Sequence, residues 1–256
     1  MNDVTTAQMA IYAVLIMPTL YLLVRHGKAG LLGWFYFTTF CMLRILGGAL
    51  ALSGSKSATI IANVGLSPLL LAASGILHES NTLRQSGDAK VEWAVVAAFH
   101  VMIAGATAIL AVGASALQSS SPMPSDLTKV KVGIAIFTIG WVVLVGWAAQ
   151  SWFRRSNNQG TEASRAGRKL LVGVAIASIF IGVRVLYTLA AFVSQKPSLS
   201  PATGTVAVRV VLVLLPELAA SLVLLTYGWI TRNAARNQAI EDEHVGVRLQ
   251  SKASNV

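Results

Sequence analysis

The side chains most able to do chemistry in this sequence are charged residues inside long apolar runs. Residues 206–226 are apolar and long enough to cross a bilayer, which takes about 20 residues, yet they contain Arg209, Pro216 and Glu217. A charge at bilayer depth costs roughly 2.5–3.5 kcal/mol on insertion scales, so we expect it to face the bundle interior with a partner. Pro216 removes one backbone hydrogen bond and is expected to bend the helix beside Glu217.

Other polar side chains in apolar runs are natural neighbours of Glu217. Tyr187 follows Arg184 by three residues and therefore shares its helix face. We predict a polar pocket in the outer half of the bundle, built by Arg44, Asn63, Arg184, Tyr187, Arg209 and Glu217. Its surplus of positive charge suits a carboxylate, phenolate or phosphate group of a ligand. The alternative is that the charges only lock helices together, while Arg209 reaches the membrane interface.

A second acidic candidate, Glu79, follows His78 at the end of the third apolar run. The pair is interpreted either as a solvated helix terminus or as a cytosolic gate and second acid. His100 is interpreted as a core histidine. Four tryptophans near the ends of apolar runs are predicted to form an interfacial belt. They are Trp34, Trp93, Trp152 and Trp229.

Several classes of site lack their residues in this sequence. There is no nucleotide-binding loop, no Ser-His-Asp order and no Asp-rich motif of the kind that holds magnesium for diphosphate chemistry. The single cysteine excludes an internal disulfide and a CxxC metal site. We therefore expect neither a metal nor a cofactor.

Composition places the chain in the membrane. It is 55% hydrophobic and 12% charged over 256 residues, with a mean hydropathy of +0.66, which is typical of a polytopic membrane protein. Seven apolar runs are too long for strands and predict an all-α, seven-transmembrane-helix bundle. They cover residues 7–24, 31–52, 58–77, 92–117, 130–153, 169–193 and 205–230.

The net charge of +10 is interpreted as a topology signal and not as a sign of nucleic-acid binding. The loops and tail on one side carry 13 lysine and arginine residues, and those on the other side carry four. The positive-inside rule places the N-terminus outside or in a lumen and the C-terminus in the cytosol. We expect residues 1–232 to form the membrane domain, in the endoplasmic reticulum or another endomembrane, and residues 233–256 to form a polar, disordered tail.

Motifs in the last two runs carry a resemblance. The segment Gly182–Tyr187, the segment Pro201–Gly204 and the motif Leu215-Pro216-Glu217 resemble a family of fungal seven-helix integral membrane proteins. In size and topology the chain is also similar to the membrane-bound terpene cyclases of fungal meroterpenoid clusters and to fungal seven-helix lipid-translocation and stress-resistance proteins. The cyclases use buried acids to protonate an epoxide or olefin on a prenyl chain.

The cyclase resemblance implies an intramembrane cyclase or isomerase of secondary metabolism, acting on a lipophilic epoxy-prenyl substrate. Glu217 would be the proton donor, with Glu79 as a second acid, and the arginines and Tyr187 would orient the polar head. An arginine beside Glu217 would favour its ionised form and weaken it as an acid. The alternative is a non-enzymatic transporter or receptor-like protein that binds an amphipathic anion in the same pocket. The expected partners are the bilayer and a lipophilic small molecule.

Overall fold

The computed structural model describes residues 2–55, 57–119, 121–154, 156, 160–194, 199 and 204–234, which form helices joined by short connections. The first five helices are α1 (Asn2–Arg25), α2 (Gly27–Leu52), α3 (Ser57–Val64), α4 (Leu66–Arg84) and α5 (Ala89–Ala116). The others are α6 (Pro124–Phe153), α7 (Glu162–Ser194), α8 (Val206–Arg209), a π-helical turn (Val210–Leu214) and α9 (Leu215–Thr231). The described ranges contain no β-strand.

Six of the described helical segments are long and apolar enough to cross a membrane. They are α1, α2, α5, α6, α7 and the segment Val206–Thr231 that joins α8 to α9. Large apolar side chains in these segments are exposed, for example Val14 at 71% and Val101 at 73%, which suits contact with lipid and not with water. The chain is therefore an all-helical integral membrane protein. The third predicted run corresponds to α3 and α4, and it is not among these six.

Helix α4 is the centre of the bundle. It packs against α2, α5, α6 and α7, and every residue from Leu66 to Arg84 except Thr82 is buried. A helix that is buried on all sides is normally hydrophobic all round, whereas the last two turns of α4 are polar. These polar turns must therefore find their hydrogen-bonding partners inside the protein.

Glycines set the distance between α2 and α4. At their crossing, a Cβ atom on Gly75 would lie 2.5 Å from the Cα atom of Gly33, and a Cβ atom on Gly33 would lie 2.6 Å from the backbone nitrogen of Ile76. Small residues at helix crossings allow backbones to approach closely within a membrane. This close contact holds α2 against the central helix.

Several helices continue beyond the apolar runs that predicted them. Helix α4 continues to Arg84, α6 begins at Pro124 and α7 begins at Glu162, because polar residues extend a helix once its apolar part is formed. Between α4 and α5 the chain turns at Gln85 and Gly87, which both have positive φ angles. Asp88 then caps α5 by accepting a 2.8 Å hydrogen bond from the backbone of Lys90.

The expected distortion beside Pro216 takes the form of the π-helical turn, which ends two residues before the proline. A proline cannot donate the i→i−4 hydrogen bond, and a wider turn accommodates the backbone that this bond would have held. The predicted disordered tail, residues 233–256, lies outside the described residues except for Asn233 and Ala234.

Candidate functional site

Glu217 lies between two arginines. One carboxylate oxygen, Oε1, accepts hydrogen bonds from Arg44 Nη2 at 2.6 Å and from Arg184 Nε at 2.8 Å. The three side chains come from α9, α2 and α7, and none of them is more than 5% exposed. The structure therefore brings together three charged residues whose convergence the sequence predicted, and it joins three helices through one carboxylate.

The neighbours of this triad fix its geometry. A Cβ atom on Gly65, at the break between α3 and α4, would lie 2.9 Å from Cζ of Arg44, so the glycine leaves room for the guanidinium group. Arg44 also lies over the ring of Phe40, with Cζ 5.2 Å from the ring centroid. Arg184 donates through Nη1 to Thr188 Oγ1 on its own helix. These contacts hold both guanidinium groups towards Glu217.

Two other residues predicted for this pocket, Arg209 and Tyr187, make their hydrogen bonds away from Glu217. Arg209 is half-buried and donates to Thr5 Oγ1 at 3.3 Å instead of contacting Glu217. Tyr187 lies beside Arg184, as its spacing predicted, but its hydroxyl donates to the backbone oxygen of Leu199 at 2.7 Å. Asn63 belongs to α3, and its side chain lies outside the described residues.

A small cavity near Thr188 is lined mainly by apolar side chains of the core, namely Leu66, Leu110, Ile134, Phe137 and Val185. Its free space holds about one water molecule. Two guanidinium groups donate to one oxygen of Glu217. In this geometry the triad fits a lock between helices better than a proton donor that receives a prenyl chain.

Glu79 belongs to a second buried network, at the other end of the bundle. Its Oε1 lies 2.5 Å from His26 Nδ1, and its Oε2 accepts a 3.1 Å hydrogen bond from Trp34 Nε1. The other ring nitrogen of His26 lies 3.0 Å from the backbone oxygen of Gly228, so the histidine joins the start of α2 to α4 and α9.

Two interpretations from the sequence are wrong here. Glu79 is not at a solvated helix terminus, since it is 1% exposed, and Trp34 is not interfacial, since it is fully buried. The reason is that α4 runs through the centre of the bundle, so its polar end is enclosed by neighbouring helices. Gly30 makes this possible, because a Cβ atom there would lie 2.8 Å from Glu79 Oε2.

A third group of polar side chains surrounds Glu92 in the first turn of α5. Asn81 donates to Glu92 Oε1 at 2.6 Å and to Ser151 Oγ at 3.0 Å. Arg154 Nη1 lies 3.5 Å from Glu92 Oε2, and His78 Nδ1 lies 3.9 Å from Oε1. These contacts connect the end of α4 to the ends of α5 and α6.

Next to this group, a solvent-open cleft of about 420 Å³ lies between the ends of α4 and α6 and the start of α7. Four arginines line it, and none of the described lining residues is acidic. The lining residues are Arg84, Trp152, Phe153, Arg154, Ser156, Gly160, Ser164, Arg165, Arg168 and Leu171. We call this cleft the arginine cleft.

Arg84 forms the base of the arginine cleft. It is 6% exposed and donates to the backbone oxygens of Ser151 and Arg154, each at 2.8 Å. Burial, together with the charge of Arg168, lowers the pKa of Arg84 below the usual value for arginine.

Most residues of the networks around Glu79 and Glu92 could not be predicted from hydropathy. His26 lies between two apolar runs, and Asn81 and Arg84 lie beyond the end of the third run, so hydropathy assigns all of them to loops. The tryptophan of the network, Trp34, was assigned to the interface. The signal that could have found them is the set of small residues on α2, Gly30 and Gly33, which marks a close helix crossing.

His100 lies on α5, where its Nδ1 donates to the backbone oxygen of Val96 at 2.8 Å within its own helix. Within the described residues, no three His, Cys, Asp or Glu side chains are grouped so that they could hold a metal ion.

Comparison with known proteins gives one match. A family model described as a domain of unknown function (DUF7702) matches residues 1–234. No curated protein and no solved structure matches this sequence.

Proposed function

Because the chain belongs to the DUF7702 family, whose description states no activity, we propose its function from the geometry: a membrane protein of the receptor or transporter class that binds an amphipathic anion. The arginine cleft is the observation that supports this proposal. Four arginines line this solvent-open space, and no described acidic side chain lines it. Guanidinium groups are the preferred protein partners of carboxylates and phosphates.

The apolar part of the ligand has a surface beside the charges. Trp152 and Phe153 line the cleft and are 49% and 87% exposed. They lie at the end of α6, where aromatic residues of membrane proteins meet the headgroup level of the bilayer. An anion whose apolar chain extends past Phe153 would keep that chain in lipid and its charged group among the arginines.

The proposal includes a topology. The segment formed by α3 and α4 spans about 40 Å at 1.5 Å per residue, which is enough to cross the bilayer core. We propose that it is the third of seven spans, shielded from lipid by its neighbours. The arginine cleft then lies at the cytosolic face of an endomembrane, with the N-terminus in the lumen.

A quenching experiment tests the binding proposal. Purified protein in neutral detergent is titrated with 9,10-dibromostearate, whose bromine atoms quench nearby tryptophans, and with its uncharged methyl ester as the matched control. We expect saturable quenching by the anion, and we expect the Trp152→Phe variant to lose part of it. Equal quenching by the ester, or no effect of Trp152→Phe, would contradict the proposal.

The second candidate is the acid-initiated cyclase of a prenyl epoxide. One observation favours it: Glu79 and His26 form a buried pair 2.5 Å apart beside the Trp34 indole. Such a pair can hold a proton, and an indole face stabilises a nearby cation. Membranes containing the protein would then convert an epoxy-prenyl phenol into an isomer, and Glu79→Gln would abolish the conversion. Turnover that survives Glu79→Gln would exclude Glu79 as the acid.

A further inference from the structure

Arg84 and Arg154 connect the helices that form the arginine cleft, and the other two arginines, Arg165 and Arg168, lie on α7. Arg84 is occupied by two backbone oxygens, and Arg154 lies against Glu92 and donates to the side chain of Gln150. Arg165 and Arg168 are exposed and lie three residues apart on the first turns of α7. Residues at this spacing are neighbours on one helix face, with Cβ atoms about 5–6 Å apart. The two side chains can therefore reach one ligand group together.

Hydrogen bonds hold the first turns of α7 in position. Ser156 donates to the backbone oxygen of Arg84 at 2.7 Å, and its hydroxyl lies 2.9 Å from that of Ser164. Ser80 on α4 donates to the backbone oxygen of Gly167 at 2.7 Å. These bonds attach the start of α7 to the end of α4, so Arg165 and Arg168 project from a positioned backbone.

We propose that Arg165 and Arg168 form a site for a phosphomonoester group carried by an amphiphile; this inference rests on the proposed function. A carboxylate has two oxygens and one charge, which a single guanidinium fork satisfies. A phosphomonoester has three terminal oxygens and about −1.5 to −2 charges near neutral pH, so it can accept from two forks at once. Arg165 and Arg168 present two such forks, and the cleft has no described acidic lining residue to compete for them.

A basic surface also attracts anionic lipid without a specific site. The experiment must distinguish that attraction from binding at Arg165 and Arg168. Such attraction depends on the number of charges near the membrane and not on the chemistry of the headgroup. It would also be the same for lysine and arginine, whereas two-pronged binding of phosphate requires guanidinium groups. Both differences can be measured.

The test is native mass spectrometry of the full chain in neutral detergent, counting bound dioleoyl phosphatidic acid, a phosphomonoester, and dioleoyl phosphatidylglycerol, a phosphodiester with the same chains. We expect wild type to bind phosphatidic acid about tenfold more tightly, and Arg165→Gln with Arg168→Gln to remove about tenfold of that affinity. Replacing both arginines by lysine should remove most of the preference. The control, Lys28→Gln with Lys90→Gln, removes two exposed charges on the same predicted side and should change binding less than twofold.

The outcomes distinguish the proposed function from the phosphomonoester site. If wild type binds neither lipid, this inference fails, and the dibromostearate titration decides the proposed function separately. If it binds both lipids equally and the arginine variant weakens both, the proposed function stands and the phosphomonoester site is wrong. An equal loss in the lysine control would also overturn the site. Competition by millimolar inorganic phosphate alone would support the site and identify free phosphate as a sufficient ligand.

Discussion

Gly33 on α2 and Gly75 on α4 meet backbone to backbone, so closely that a Cβ atom on either glycine would overlap the other helix. This crossing determines how near α2 lies to the central helix. Three side chains of α2 that reach other helices, Trp34, Phe40 and Arg44, depend on that position. The contact between two residues without side chains therefore supports both buried charged networks.

Replacing Gly33 by alanine tests the crossing. The added methyl group would meet the backbone nitrogen of Ile76, which cannot move aside without moving α4, so we expect a loss of about 1–3 kcal/mol in the free energy of unfolding. Cys41, the chain's only cysteine, is fully buried. The temperature at which it reacts with a thiol-specific maleimide dye therefore reports unfolding in detergent.

The matched control for this variant is Gly105→Ala on α5. A Cβ atom on Gly105 would have no neighbour within 4 Å, so this substitution should be neutral or stabilise the helix by up to about 1 kcal/mol. Equal effects of the two alanines would show that the Gly33–Gly75 crossing is not as tight as described.

Glu217→Gln should destabilise the protein. The amide keeps the shape of the carboxylate but leaves Arg44 and Arg184 buried without the charge that both now share. Removing one partner of a buried ion pair costs about 3–5 kcal/mol, and dye labelling of Cys41 should begin at a lower temperature. Arg209→Gln, at a half-buried residue with one hydrogen bond to Thr5, should cost less than about 1 kcal/mol.

A triple variant distinguishes lost charge balance from lost packing. Changing Arg44, Arg184 and Glu217 together to methionine removes all three charges and keeps apolar volume, so much of the stability lost in Glu217→Gln should return. If the triple variant is the less stable of the two, the triad contributes more through its hydrogen bonds than through charge balance.

Replacing His26 should destabilise the protein more than replacing His100 on α5. His26→Phe keeps a ring beside Trp34 but removes the bonds to Glu79 and to the backbone oxygen of Gly228. We expect a loss of about 1–3 kcal/mol, because a buried carboxylate loses a partner. His100→Phe removes a hydrogen bond within one helix turn and should cost about 1 kcal/mol or less. The reverse order would contradict the bridging role of His26.

The proposed topology can be tested with reporters fused to the C-terminus. A reporter that is active only in the cytosol should be active there, because the predicted loops and tail on that side of seven spans carry 13 lysine and arginine residues, and those on the other side carry four. A second fusion, truncated after Gly87, places the reporter after α4. Activity of this second fusion supports an α3–α4 segment that spans the membrane. An inactive reporter shows that the segment does not cross.

The sequence by itself determined which segments are apolar helices and which charged residues had to be buried. Hydropathy and length settle the first, because a lipid-exposed backbone must satisfy its own hydrogen bonds. The cost of a charge in lipid settles the second, and it correctly grouped Arg44 and Arg184 with Glu217 on three separate helices. No signal in the sequence showed that both arginines would bind the same carboxylate oxygen.

Only the tertiary structure decided which helix is central. Hydropathy ends the third predicted run at residue 77, and it assigns the residues that follow, among them Glu79, Asn81 and Arg84, to the solvated end of a helix or to a loop. Packing reverses this assignment, since α2, α5, α6 and α7 surround the helix and supply polar partners for that end. Burial depends on which neighbours cover a residue, and those neighbours are distant in the chain. The arginine cleft has the same origin, because its four arginines come from three separate stretches and share one space only after α4, α6 and α7 have packed.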